Sequence, residues 1–106
     1  MKIITVSACS VGIASTYMAA EALQLAGKAR GHEVLSETQG TLGIENRVSD
    51  ADAQTADIII LARDIKIQGM DRFEGKPVLE VGVAEAIRNA DDVIQKAEEM
   101  AAANKK

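Results

Sequence analysis

The chain has 106 residues, a length that suits one compact domain around one core. Hydrophobic residues make up 47% but aromatics only 2%, so the core must be built from Ile, Val, Leu, Ala and Met. A net charge of −4 and so few aromatics exclude general nucleic-acid binding, which needs cations for phosphates and rings for bases. The single cysteine excludes an intramolecular disulfide and suits a reducing, cytoplasmic setting. The apolar run after Met1-Lys2 is broken by Thr5, Ser7 and Ser10, too short and polar for a signal peptide or a membrane span.

In chain order, Lys2 to Ala8 reads as a buried first strand. A loop of mostly small residues follows Cys9, and a helix is expected from Ile13 or Ala14 to about Arg30. The spacing of Met18, Ala22, Leu25 and Ala29 predicts its apolar side, with Gly31 as its stop. Glu33 to Thr38 reads as a second strand and Gln39 to Gly43 as a loop. Ser49 is placed to cap a short helix from Asp50 to about Thr55. Ala56 to Ala62 is the strongest strand; it shows no alternation, as expected of a central parallel strand covered on both faces. A polar connection, Arg63 to Gly75, leads to a fourth strand, Lys76 to Val81, with the only proline near its start. A closing helix is expected from Val83 to about Ala102, with Ile87, Ala90, Ile94, Ala97 and Ala101 as its core stripe.

This order predicts an α/β fold: a three-layer α/β/α sandwich, flavodoxin-like or Rossmann-like, with a four-stranded parallel sheet in the order 2-1-3-4. Residues 1–106 form one domain in this reading. Ligands of such sheets bind beyond the carboxyl ends of the strands. Cys9 lies there after the first strand, Gln39 and Gly40 after the second, and Arg63 and Asp64 after the third.

Cys9 between a strand and a helix start suggests a thiolate or phosphate site, because the leading N–H groups and dipole of a helix favour anions. A buried structural thiol is the plain alternative. Asp64 either orients the loop or acts on a proton, or it caps the next segment; capping is favoured. Arg63 is equally a partner contact or a solvated charge. Met18 is assigned to the core by its spacing, and Tyr17 either packs under the loop or joins a docking surface. His32, after the helix stop, reads as a solvated turn residue rather than a phosphate carrier, at the end of the sheet away from Cys9. Asp91-Asp92 and Glu98-Glu99 read as a solvated helix face.

The segment Cys9-Ser10-Val11-Gly12-Ile13-Ala14-Ser15-Thr16-Tyr17-Met18-Ala19-Ala20-Glu21 resembles the active-site segment of enzyme IIB of the fructose-specific phosphotransferase system, typically C-P-T-G-I-A-H-T-F/Y-M-A-A-E. Glu37-Thr38-Gln39-Gly40 with Gly43-Ile44-Glu45-Asn46, and Arg72-Phe73-Glu74-Gly75-Lys76-Pro77, are similar to two further stretches of that family in the same order. Ser10, Val11 and Ser15 depart from its usual proline, threonine and histidine.

The resemblance implies that Cys9 accepts a phosphoryl group from a phosphohistidine of EIIA and passes it to fructose or a similar hexose carried by the membrane component EIIC. It implies a phosphate cradle from Ser10, Val11, Gly12, Ile13, Ala14, Ser15 and Thr16, no metal or organic cofactor, and a separate subunit without a membrane segment of its own. A non-catalytic regulatory IIB-like protein remains an alternative. A cysteine phosphatase or arsenate reductase is disfavoured, because its phosphate-clamping arginine would fall at Ser15. Flavin binding and a receiver domain are disfavoured by the lack of aromatics and of an acidic cluster beside the first strand.

Overall fold

The computed structural model describes residues 1–9, 13–40 and 43–104. Its strands are β1 (Lys2–Ala8), β2 (Glu33–Gly40), β3 (Gly43–Glu45), β4 (Ile58–Arg63) and β5 (Val78–Val81). Its helices are α1 (Ile13–Ala29), α2 (Asp50–Thr55), α3 (Val83–Arg88) and α4 (Ala90–Asn104), with a 3₁₀ turn over Met70–Phe73. The sheet order is β3-β2-β1-β4-β5. The four expected strands are parallel and in the expected order, but the sheet is five-stranded and mixed. The extra strand, β3, pairs antiparallel with β2 through Thr38↔Glu45, Gln39↔Ile44 and Gly40↔Gly43. The sequence pattern places Gly43 in a loop and ends the second strand at Thr38. A three-residue exposed strand of Gly, Ile and Glu has no apolar alternation to betray it.

Residues of β1 and β4 alternate between two covered faces. Ile3, Ile58, Ile60 and Ala62 pack under α1, α3 and α4. Ile4, Val6, Ala8, Ile59 and Leu61 pack on the other side against Val48, Ala53 and Phe73. Burial on both faces is why β4 is a continuous apolar run. Each fully buried Ile contributes roughly 1.5–3 kcal/mol by leaving water. The short α2 starts as expected, with Ser49 Oγ accepting from the Asp52 N–H at 3.1 Å.

Two helix expectations are corrected. The buried side of α1 is Thr16, Ala19, Ala20, Leu23 and Ala26, not the stripe through Met18 and Leu25, which are 53% and 62% exposed. Small residues face the sheet because the helix lies close to it. A Cβ on Gly27 would stand 2.5 Å from Val34 Cγ2. The single closing helix is instead two, broken at Asn89, although Ile94, Ala97 and Ala101 are buried as expected.

At the amino end of the sheet, His32 is not a solvated turn residue. Its Nδ1 lies 3.1 Å from the N-terminal amine and its Nε2 lies 2.5 Å from Glu98 Oε2. Glu98 also accepts from Arg30 Nη2 at 2.7 Å, so it is not part of a simply solvated face. Arg30, then His32, hold the Glu98 carboxyl down to about 2. Pairing of β1 with β2 brings the N-terminus to this corner, through Met1 O accepting from the Glu33 N–H at 2.9 Å. The corner lies opposite the carboxyl end where Cys9 sits, as the sequence predicts.

Candidate active site

The parallel register fixes the site. Ala8 pairs with Arg63, so the next residues along, Cys9 and Asp64, stand side by side past the strand ends. The ladder continues one step further, with the Asp64 N–H donating to Ala8 O at 3.1 Å. Side chains alternate along both strands, so Cys9 follows Ile3 and Asp64 follows Ile58, Ile60 and Ala62 on the α1 side of the sheet. The Cys9 thiol donates to Asp64 Oδ2 at 3.3 Å and is 6% exposed.

Cys9 stands four residues before α1 begins at Ile13. In the first turn of α1, Ala14 is exposed, Ser15 half-buried and Thr16 buried. Ser10, Val11 and Gly12 of the predicted cradle, and the side chain of Ile13, lie outside the described residues. A thiol ahead of a helix N-terminus is suited to attack phosphorus, because the helix start favours the anion that forms.

The structure separates Arg63 from Asp64. Arg63 turns toward β5, where Nη2 lies 3.4 Å from Glu80 Oε1 and Nη1 donates to Ile65 O at 3.2 Å. It lines a cavity of about 330 Å³ with Glu80, Val81, Gly82 and Glu85. The Asp64 carboxylate instead meets the Cys9 thiol. Met18 is surface rather than core. Tyr17 is exposed beside it, and its hydroxyl donates to the Glu45 carboxylate on β3. That hydrogen bond raises the Tyr17 hydroxyl above its ordinary value.

The two remote motifs form a buried polar cluster on the opposite face. Arg72 Nη1 and Nη2 each donate to a Glu37 carboxylate oxygen at 2.6 Å. Gln39 Nε2 and the Val48 N–H add donors to Glu37 at 2.8 Å each. Gln39 also binds the backbone of Gln68 in both directions, at 2.8 and 2.9 Å. Burial pushes the Glu37 carboxyl up, but Arg72, Gln39 and the Val48 N–H outweigh it and hold it below the usual carboxylate range. The cluster ties the end of β2 to the connection before β5. Its signal in the sequence is a glutamate and a glutamine two apart in a strand, answered by an arginine beside a core phenylalanine.

The profile of the family described as "PTS system, Lactose/Cellobiose specific IIB subunit" matches residues 2–96. The chain belongs to the phosphotransferase-system IIB family. It is 48% identical to the fructose-like EIIB component 2 of Escherichia coli strain K12, over 92% of each chain. It is 41% identical to the fructose-like EIIBC component of the same organism, over 88% of this chain and 20% of that protein. The solution structure of an enzyme IIB subunit from Escherichia coli K12 superposes with a TM-score of 0.89 at 41% identity, covering 99% of this chain and 97% of that one. The lactose-specific IIB component domain from Streptococcus pneumoniae shares the fold alone, with a TM-score of 0.52 and 13% identity over 94% and 98% of the two chains. As a homologue of fructose-like IIB components, the chain has the role of a sugar phosphotransferase in phosphotransferase-system uptake. Among the described residues, no helix is long and apolar enough to cross a membrane.

Proposed function

We propose that residues 1–106 are one fructose-type IIB domain in which Cys9 is the phosphoryl carrier. Cys9 Sγ attacks the phosphorus of a phosphohistidine on EIIA, and the P–N bond breaks. The phosphocysteine then gives its phosphoryl group to a hydroxyl of fructose or a fructose-like hexose held by EIIC. Backbone N–H groups from Ser10 to Thr16, with the hydroxyls of Ser10, Ser15 and Thr16, cradle the phosphate. Positioning and charge stabilisation are the main needs of such a transfer. The protein works in the cytoplasm, and its membrane contact is through EIIC.

The position of the Cys9 thiol carries this reading: past the end of β1 and ahead of α1, at the edge where parallel sheets bind ligands. Identities of 48% and 41% to proteins named fructose-like support a fructose-type substrate over the lactose and cellobiose of the family description. The fused EIIBC relative supports EIIC as a partner.

The test is intact mass and peptide mapping at neutral pH after incubation with phosphoenolpyruvate, the general phosphotransferase proteins and a fructose-type EIIA. One phosphoryl group on Cys9 is expected. No adduct with several active donors would leave a regulatory IIB-like protein.

A further inference from the structure

The proposed transfer leaves a proton unassigned. A thiol that forms a bond to phosphorus must lose its hydrogen, and the donor's imidazole nitrogen must gain one when its P–N bond breaks. From the 3.3 Å contact between Cys9 Sγ and Asp64 Oδ2, we infer that Asp64 is the catalytic residue that holds this proton during transfer. The inference rests on Cys9 being the phosphoryl acceptor.

The backbone argues that the contact is built in. Asp64 continues the β4 ladder through its own N–H to Ala8 O, so two adjacent strands deliver the thiol and the carboxylate to one point. The same face of both strands supplies them, with Cys9 buried and Asp64 exposed at the strand end. A nearly buried thiol has little water to take its proton, whereas a carboxylate within hydrogen-bond reach takes it directly.

The steps balance. The Cys9 S–H proton passes to Asp64 while the sulfur pair forms the S–P bond. The P–N pair stays on the imidazole nitrogen, which receives the proton from Asp64. In the second transfer, the sugar hydroxyl gives its proton to Asp64 as its oxygen bonds to phosphorus. The S–P pair returns to sulfur, which takes that proton back. While Asp64 holds the proton within each transfer, its charge does not repel the moving phosphoryl group. Among the described residues nearby, Arg63 lies against Glu80 and lines one cavity with Glu85 and another with Lys66.

The test is the single-turnover rate of phosphoryl acceptance from a phosphorylated fructose-type EIIA, between pH 6 and 9. It compares the wild type, Asp64→Asn and Asp64→Glu, each confirmed as folded by circular dichroism. Asp64→Asn keeps a hydrogen-bond acceptor but takes no proton. Its rate should fall about 100-fold at pH 7, the lower range for a general base, and climb with pH as solvent base replaces the carboxylate. Asp64→Glu should keep more of the rate than Asp64→Asn and a pH profile like that of the wild type. An Asp64→Asn rate equal to the wild type, or reduced by one factor at every pH, overturns the role of Asp64 and leaves Cys9 as the carrier. If Asp64→Asn does not fold, an Asp64→Glu pH profile that departs from that of the wild type overturns it instead. A wild type that takes no phosphate on Cys9 overturns both readings.

Discussion

Glu37 and Asp64 both stand near the carboxyl end of the sheet, on opposite faces, and their partners differ in kind. Glu37 meets a permanent positive charge. Both its oxygens bind Arg72, and an amide and a backbone N–H add further donors. Asp64 meets a thiol, a weak donor whose proton can leave. A carboxylate matched by a guanidinium is fixed in one state and serves structure. A carboxylate matched by a nucleophile can change state during a reaction. The family motifs thus divide: the Cys9 segment carries the proposed chemistry, while the Glu37 and Arg72 segments hold the loops at the same edge.

The largest effect should separate the two sides completely. Cys9→Ser removes one small thiol and leaves Arg72 and Glu37 in place, so the protein should fold with an unchanged melting temperature. It should carry no transferable phosphate in the mass assay and support no sugar phosphorylation. A Cys9→Ser protein that still passed phosphate to sugar would end the carrier reading. Asp64→Asn follows with its slower, pH-dependent transfer.

Breaking the other carboxylate should do the reverse. Arg72→Met strands a buried charge on Glu37 and should cost about 3–5 kcal/mol in denaturant unfolding at pH 7. Where the variant remains folded, Cys9 should still accept phosphate. The pH dependence has a definite sign. The wild-type Glu37 carboxyl is depressed below its reference of 4.5, so its stabilising pair is present above that value and lost as pH falls through the lower folded value. In Arg72→Met, burial is left to push the same carboxyl up, so acid relieves the variant while it harms the wild type. The stability gap should narrow between pH 7 and pH 4. A gap that stays constant would show that Glu37 is not what Arg72 neutralises.

The sequence made the chemical side easier to read than the structural side. A lone cysteine between an apolar strand and a helix start is a local pattern, and local patterns survive without coordinates. The Cys9–Asp64 contact is not local. It needs the register of β1 against β4, and until that is known Asp64 reads better as a cap. Glu37 and Arg72 are 35 residues apart, so nothing in either segment announces the pair. The four parallel strands were legible from their apolar runs, whereas β3 exists only because it pairs with β2. The phase of α1 was misread because large residues are assumed to face inward. Here Ala19, Ala20 and Ala26 do, and Met18 and Leu25 do not.

That misread helix supplies the smallest effect. Gly27 lies in α1, where alanine would ordinarily stabilise a helix by about 1 kcal/mol. At this position the new methyl would meet Val34 Cγ2 at 2.5 Å. Valine is β-branched and stiff at χ1, so it cannot simply swing aside. Overpacking of this kind costs about 1–3 kcal/mol, enough to cancel the helix gain and leave a net loss near 1 kcal/mol. Thermal melting of Gly27→Ala should therefore fall by a few degrees. Phosphoryl acceptance should be unaffected. Gly27 lies 14 residues along the helix from Ile13, about 21 Å at the ordinary rise, so its strain falls at the far end from Cys9. A slower transfer without further loss of stability would mean that α1 moves as a rigid rod and that the seat of Gly27 on β2 also sets the helix start ahead of the thiol.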